Sequence, residues 1–456
     1  MNPTPNILVI LSDQHGRRYS GCYGHPVVQT PNLDRLASRG LRFDNAYCDS
    51  PICVPSRSAF MTGRRVSTLE IWDNNTVLPS DETTLGHRLN DAGYEAVLCG
   101  RMHFNGDDKT HGFQAQIAED PDANASIPNW AAGGEVAGHS LTLETLAKRP
   151  KVGNGFPRDD LAGERAAEFI RQRSGNAKPW AMLVGFMHPH GPWNAEQEYW
   201  DLYNEDDIDL PATESPADSH PIHQRNRRLR QMPADGYPEN IVRRNRHAYY
   251  AVISRMDEKV GQVLDALEAS GEADNTIVVY VSDHGEMLGE HGLWMKSSLF
   301  EDSIGVPLIM AGPGIPCGVR NENVVLSNLT ATVCDLAGAD TAGMEGRNFR
   351  CLIDGGGKWD NHALIEYYAT WTERPLAALR RDQYKLIASL DEPPQLFDLE
   401  EDPKEKSDLT GNPEFAMVLQ RLQTELATHW NPQALHAKVL DSQNQRLLPG
   451  HTNVVA

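Results

Sequence analysis

Four short apolar runs break the polar background of this chain: residues 7–11 (ILVIL), 96–99 (AVLC), 181–184 (AMLV) and 277–281 (IVVYV). Each is bounded by turn residues and apolar throughout, the pattern of a strand buried on both faces. Helical patterns lie between them. Thr30-Pro31-Asn32-Leu33-Asp34-Arg35-Leu36-Ala37-Ser38-Arg39-Gly40 has a capping residue, proline at the first helical position and glycine at its end. Over residues 250–270, Ile253, Met256, Val260, Val263, Leu264 and Leu267 form a helical apolar stripe. Alternating strands and helices predict an α/β fold with a large, mostly parallel central sheet flanked by helices. Gly355-Gly356-Gly357 reads as a loop and marks a boundary between residues 1–357 and 358–456. Beyond it, residues 377–379 and 384–387 flank Arg381-Asp382-Gln383 as a hairpin, and Phe415, Val418, Leu419, Leu422 and Leu426 give an amphipathic helix from near Pro413. This is the pattern of a small C-terminal α+β domain. Residues 196–245 read as a polar, irregular insert that could shape or cover a site, with an acidic run at 205–209 and a basic run at 225–230. After Trp430 no strong periodicity is visible, and that tail is a candidate for docking on another subunit of a homo-oligomer.

Length adds that 456 residues exceed one small core and suit a large unit with a lesser companion. Charge removes some partners. Lys and Arg number 42 against 63 Asp and Glu, a net −21, which disfavours nucleic acid and anionic membranes. A small anionic substrate stays compatible, because a local cluster of cations outweighs a distant net charge. Seven cysteines without paired spacing, and no apolar stretch long enough for a bilayer, favour a reduced, cytoplasmic protein; a removed signal peptide would leave the same trace.

The chemistry sits where the strands end. The first run ends at Asp13-Gln14, the second at Arg101-Met102-His103, the third leads to His188-Pro189-His190, and the fourth ends at Asp283-His284. Ligands of open α/β sheets bind outside the carboxyl ends of strands, so these four ends converge on one crevice. Asp13, Gln14, Asp283 and His284 supply two carboxylates, an amide oxygen and an imidazole. That set suits Ca²⁺, Mg²⁺ or Mn²⁺, and the imidazole leans toward Mn²⁺. Taken alone, either dipeptide reads better as a turn cap and an interior histidine; their shared placement reverses that. Cys53-Val54-Pro55-Ser56-Arg57 precedes Ser58-Ala59-Phe60-Met61 and the stop Gly63, with Pro55 at the expected first helical position. Cys53 therefore lies at a helix start, where amide donors and the dipole favour an anion and lower a thiol pKa. The other six cysteines read as structural.

These residues resemble a family. Cys53-Val54-Pro55-Ser56-Arg57 matches the C-x-P-S-R signature of the formylglycine sulfatases in the alkaline phosphatase superfamily. Thr30–Ala37 resembles the family's early helix, Gly100-Arg101-Met102-His103 its G-K-x-H segment, and Pro189-His190-Gly191-Pro192 its P-H-x-P segment. Residues 282–296 (SDHGEMLGEHGLWMK) are similar to the late metal-and-lysine segment, above all in choline sulfatases and phosphonate monoester hydrolases, and residues 395–403 (QLFDLEEDP) to the closing motif. Six motifs in family order, from residue 6 to about 410, make the resemblance specific.

The resemblance implies that a maturation enzyme oxidises Cys53 to formylglycine. The hydrated aldehyde attacks sulfur, and sulfate is then expelled as the aldehyde re-forms. It implies one divalent metal, Ca²⁺ first and Mn²⁺ as the alternative, held by Asp13, Gln14, Asp283, His284 and the nucleophile. Arg57 would hold the gem-diol, His103 take the proton for elimination, His190 and Lys296 bind sulfate oxygens, and Asn74 and Arg101 contact the substrate. Arg101 stands where the family has Lys, with a surface salt bridge as its plain alternative. His188 and His291 read as structural or supporting. The substrate is a sulfate monoester of an aryl, choline-like or sugar alcohol; residues 193–203, Trp130, Trp371 and Trp430 could line its pocket. Two further readings stay open: a phosphonate monoester or phosphodiester hydrolase using the same site, and a non-catalytic binding protein that kept the fold.

Overall fold

The structure is a computed structural model and describes residues 4–119, 157–173, 175, 178–211 and 219–446. Trp130, an expected pocket residue, lies outside the described residues.

Eight strands form the main sheet: β1 (Asn6–Asp13), β2 (Leu41–Phe43), β4 (Glu95–Gly100), β5 (Ala115–Gln116), β6 (Trp180–Pro189), β7 (Thr276–Ser282), β8 (Leu308–Ala311) and β9 (Gly318–Arg320). β3 (Ala46–Tyr47) pairs separately with β10 (Val324–Val325). The order is β5-β4-β6-β1-β7-β8-β2-β9. Thus the four apolar runs occupy four adjacent strands, β4, β6, β1 and β7, all mutually parallel. Only β8 runs against its neighbours. Each central strand divides its side chains between two layers, because successive residues point to opposite faces. Ile7, Val9 and Leu11 of β1 join one core cluster, whereas Leu8 and Ile10 join another with the helices Pro157–Arg173 and Glu239–Ser270. Burial on both faces is what makes the runs continuously apolar.

Four antiparallel strands, β11 (His362–Tyr367), β12 (Leu376–Arg381), β13 (Tyr384–Ser389) and β14 (Gln395–Asp398), make the expected C-terminal sheet. The core does not stop at the glycine loop: Ile365, Tyr367, Ala378, Ile387 and Phe397 belong to the same buried cluster as Val9 and Leu183. Helix α1 (Pro31–Ser38) matches its caps, and the long helix Glu239–Ser270 starts well before the apolar stripe.

Two expectations fail. The insert at 196–245 is not irregular throughout: Gln197–Trp200 and Pro221–Leu229 are helical, and the long helix takes its last residues from Glu239 on. The basic run lies on these helical turns, with Arg227 bonded to the carbonyls of Gly292 and Pro233. The tail after Trp430 is also a helix, Pro432–Gln445, capped where Asn431 accepts from the N–H of Ala434. Only Val439 and Gln443 of that helix are buried, too thin a stripe to be read from the pattern. No described helix is long and apolar enough to cross a membrane.

Candidate active site

Helix α2 (Cys53–Thr62) begins at Cys53 itself, with Pro55 two residues further in, not at the first position. Both positions belong to the first turn, where a missing N–H costs nothing. Ile52 is extended and gives no side-chain cap. The free amide of Val54 instead donates to Asn74 Oδ1 at 2.9 Å. Asn74 therefore holds the start of the helix beside Cys53. Gly63 ends the helix at φ 69°.

Around Cys53 the strand ends close in. One ligand atom from each of Asp13, Cys53, Asp283 and His284 lies within 4.8 Å of every other, and all four residues are buried. Each carboxylate divides its two oxygens. Asp13 Oδ2 accepts from Arg101 Nε at 2.7 Å and Arg57 Nη2 at 3.2 Å, and Asp283 Oδ2 accepts from Arg57 Nε at 2.7 Å. The Oδ1 atoms face the centre, 3.8 and 3.6 Å from His284 Nε2. His284 Nε2 is 3.1 Å from Cys53 Sγ. Its Nδ1 faces the carbonyl of Gly285 at 3.1 Å. A carbonyl only accepts, so Nδ1 carries the proton and Nε2 presents its lone pair inward, as a metal ligand must. Lys296 Nζ donates to Gln14 Oε1 at 2.9 Å and to Cys53 Sγ at 3.0 Å.

The backbone has been bent to achieve this. Gln14, His103, Met295 and Ser297 have φ of 69°, 60°, 66° and 74°. Such conformations cost about 1–3 kcal/mol each and cluster where surrounding structure enforces them. A Cβ at Gly285 would meet the Asp302 carbonyl oxygen at 2.1 Å, and one at Gly185 the Arg101 carbonyl oxygen at 1.8 Å. These two glycines let the chain close on the site. The Arg101 carbonyl so admitted accepts from Arg57 Nη1 at 3.0 Å.

The electrostatics keep Asp13 charged and His284 neutral, the forms in which both can ligate a cation. Burial alone would raise the Asp13 carboxyl, but Arg101, His190, Arg57 and Lys296 outweigh it and hold Asp13 well below the usual carboxylate range. Burial keeps His284 below the ordinary imidazole value, hence neutral and able to ligate. His103 is held well below it too, by burial first and then by Arg101. Arg101 Nη2 lies 3.0 Å from His103 Nδ1. Arginine only donates, so in this geometry neutral His103 carries its proton on Nε2, and it takes up another at Nδ1 only when that bond opens.

Gln14, Arg57, Arg101 and Lys296 bond directly to members of this cluster, whereas His103 meets it through Arg101 and Asn74 bonds the amide of Val54. His190 follows β6, its Nδ1 bonded to the Gly191 carbonyl at 2.6 Å. Arg101 is not at the surface, since its side chain is 6% exposed. His188 is buried 3.4 Å from Asp159, and His291 stacks on Phe300. Trp193 and Trp430 are buried in core clusters. Trp371 is half-buried beneath the Arg230 guanidinium, 4.9 Å from its ring centroid. One residue had no role in the sequence reading: buried Glu286, which accepts from Gln14 Nε2 at 2.5 Å. Its only sequence signal was its place after Asp283-His284-Gly285.

Residues 5–339 match the sulfatase family model, and residues 289–431 match the C-terminal model of N-sulphoglucosamine sulphohydrolase. The chain belongs to the sulfatase family. Among its sulfatase relatives, it is 35% identical to a choline-sulfatase of Rhizobium meliloti over 97% of this chain and 90% of that protein. It is 27% identical to an arylsulfatase of Clostridium perfringens over 90% of this chain and 91% of that one. In fold it is similar to the phosphonate monoester hydrolase of Agrobacterium radiobacter, with a TM-score of 0.78 at 22% identity over 95% of this chain and 96% of that chain. As a sulfatase, the protein is a sulfuric ester hydrolase with an alkaline-phosphatase-like sheet.

Proposed function

We propose that this sulfatase hydrolyses the sulfate monoester of a small alcohol, choline-like, aryl or sugar, using an aldehyde made from Cys53 and a divalent cation. The observation that carries the reading is the meeting at Cys53 of a helix start, two carboxylates, an inward imidazole lone pair and the Lys296 ammonium. The donor set fits the cation. Asp13 and Asp283 keep one oxygen each for it while Arg57 occupies the other, Gln14 adds an amide oxygen, and His284 is neutral. Mainly oxygen donors favour Ca²⁺, and the imidazole makes Mn²⁺ the alternative.

Such a cation polarises a sulfuryl oxygen and eases deprotonation of a bound hydroxyl, while the hydrated aldehyde provides the nucleophile. The remaining tasks belong to this chain's residues. Lys296 and His190 bind sulfate oxygens, where preorganised donors count most as charge shifts onto the leaving group. Arg57, fixed by two aspartates, holds the nucleophile's side chain in one orientation. His103 moves the proton that re-forms the aldehyde, taking it up at Nδ1 once the bond from Arg101 opens. Asn74 keeps the start of α2 in place through the Val54 amide. A formylglycine-generating enzyme is the required maturation partner.

The second reading, a phosphonate monoester hydrolase, draws on the same chemistry. Sulfate and phosphonate monoesters are both tetrahedral and singly anionic, and Gln14 with His284 gives a ligand set with only two carboxylates. Rates on an aryl sulfate and the matched phenylphosphonate ester decide between them, read with a mass spectrum of the Cys53 peptide. The proposal expects an aldehyde at Cys53 and faster sulfate hydrolysis. An unmodified thiol in active protein from a host with the maturing enzyme would overturn the mechanism, and a large phosphonate preference the substrate class.

A further inference from the structure

We infer that Glu286 is a positioning residue that aims the carbonyl oxygen of Gln14 at the cation site and ties that ligand to the loop carrying Lys296; this rests on the metal-site reading above. A glutamine side chain has nearly the same shape in both amide orientations, but only one presents oxygen to a cation. The neighbours of Gln14 select that one. Lys296 Nζ donates to Oε1 at 2.9 Å, and on the other side Gln14 Nε2 donates to Glu286 Oε2 at 2.5 Å. A carboxylate only accepts, so turning the amide over would set oxygen against oxygen between two fully buried side chains.

Glu286 is itself fixed. It is fully buried, and its Oε1 accepts from the N–H groups of Leu288 at 2.8 Å and Met295 at 2.6 Å. Those two bonds close the loop whose ends also meet through Met287 N–H and the Met295 carbonyl at 2.8 Å. The loop delivers Lys296 one residue later. One carboxylate thus sets both a metal ligand and the sulfate-binding lysine, across 272 residues of chain. Partners of this kind, outside the ligand sphere, typically change metal affinity about 10–100-fold when altered.

The test is a double-mutant cycle of Glu286→Gln, Gln14→Glu and the pair, in full-length protein freed of metal with chelator and titrated calorimetrically with CaCl₂ and MnCl₂. In E286Q the new amide oxygen must serve the Leu288 and Met295 donors. Its NH₂ then faces the NH₂ of Gln14 and drives that amide to flip. Affinity is expected to fall by about 10–100-fold. In Q14E two carboxylates oppose each other in a buried site, and binding is expected to weaken or the fold to loosen. The pair restores a donor facing an acceptor and leaves an oxygen for the cation, so most of the affinity returns. That recovery separates positioning from damage to the fold, which two changes would compound; circular dichroism and melting of each metal-free protein accompany the titrations. E286Q at wild-type affinity, or a pair whose loss is the sum of the singles, overturns the role of Glu286 while the metal-site reading stands. A wild-type protein that takes up neither ion overturns the metal-site reading and, with it, this role.

Discussion

Arg57 is the residue on which both buried aspartates rely, which makes its replacement informative. Its side chain is 2% exposed, and it reaches Asp283 Oδ2 at 2.7 Å and Asp13 Oδ2 at 3.2 Å. Arg57→Met keeps much of the volume and removes the charge. Asp13 retains Arg101 at 2.7 Å, whereas Asp283 is left with the Gln14 N–H at 3.0 Å on its other oxygen. Breaking a buried ion pair from one side costs about 3–5 kcal/mol, and the surviving Arg101 contact puts this case near the lower figure. The assay is urea unfolding of chelator-treated protein followed by tryptophan fluorescence. The variant should lose about 3 kcal/mol without divalent cation. Adding Ca²⁺ should narrow the gap, because a like charge beside the cation is gone and the variant binds it more tightly; each tenfold gain in affinity recovers about 1.4 kcal/mol. Turnover should still fall by roughly 10²–10³, the usual loss of one preorganised donor. A gap under about 1 kcal/mol without cation, or one that Ca²⁺ widens, would refute the argument that Arg57 and a cation share these carboxylates.

Cys53→Ala should abolish hydrolysis while leaving Ca²⁺ uptake within about tenfold of wild type, since Asp13, Gln14, Asp283 and His284 remain as ligands; unchanged activity would favour the non-catalytic reading. Chelator should remove activity and Ca²⁺ or Mn²⁺ restore it, measured as initial rates on an aryl sulfate; full activity in chelator would contradict the donor-set assignment. Asp49 offers a pH test away from the site: burial pushes its carboxyl up to about 7, although Ser327 donates to it through N–H and hydroxyl. The folded state then holds a proton that the unfolded chain releases near 3.8, so wild-type stability from this group is lost as pH rises from about 4 to 7. Asp49→Asn should therefore gain on wild type across that window, by up to roughly 4 kcal/mol, and run parallel to it above pH 8; a difference independent of pH in urea midpoints would exclude the raised pKa.

The sequence by itself determined the parts of this protein that are local. Strands β1, β4, β6 and β7 were legible because burial on both faces forces unbroken apolar runs, and their polar ends marked the crevice. Asp13, Cys53, Asp283 and His284 were legible from their places at element ends: Asp13 closes β1, Asp283 and His284 follow β7, and Cys53 starts α2. Elements held by weak stripes were not, as the helix Pro432–Gln445 shows with its two buried residues. Nor was the glycine loop a boundary of the core, since Ile365 and Val9 share one cluster. The tertiary structure alone decided which oxygen of each aspartate faces inward, which nitrogen of His284 is free to ligate, and what Glu286 is for. Those choices depend on donors and acceptors that meet from positions up to 272 residues apart, and hydrogen-bond direction at such a meeting leaves no periodic trace in a chain.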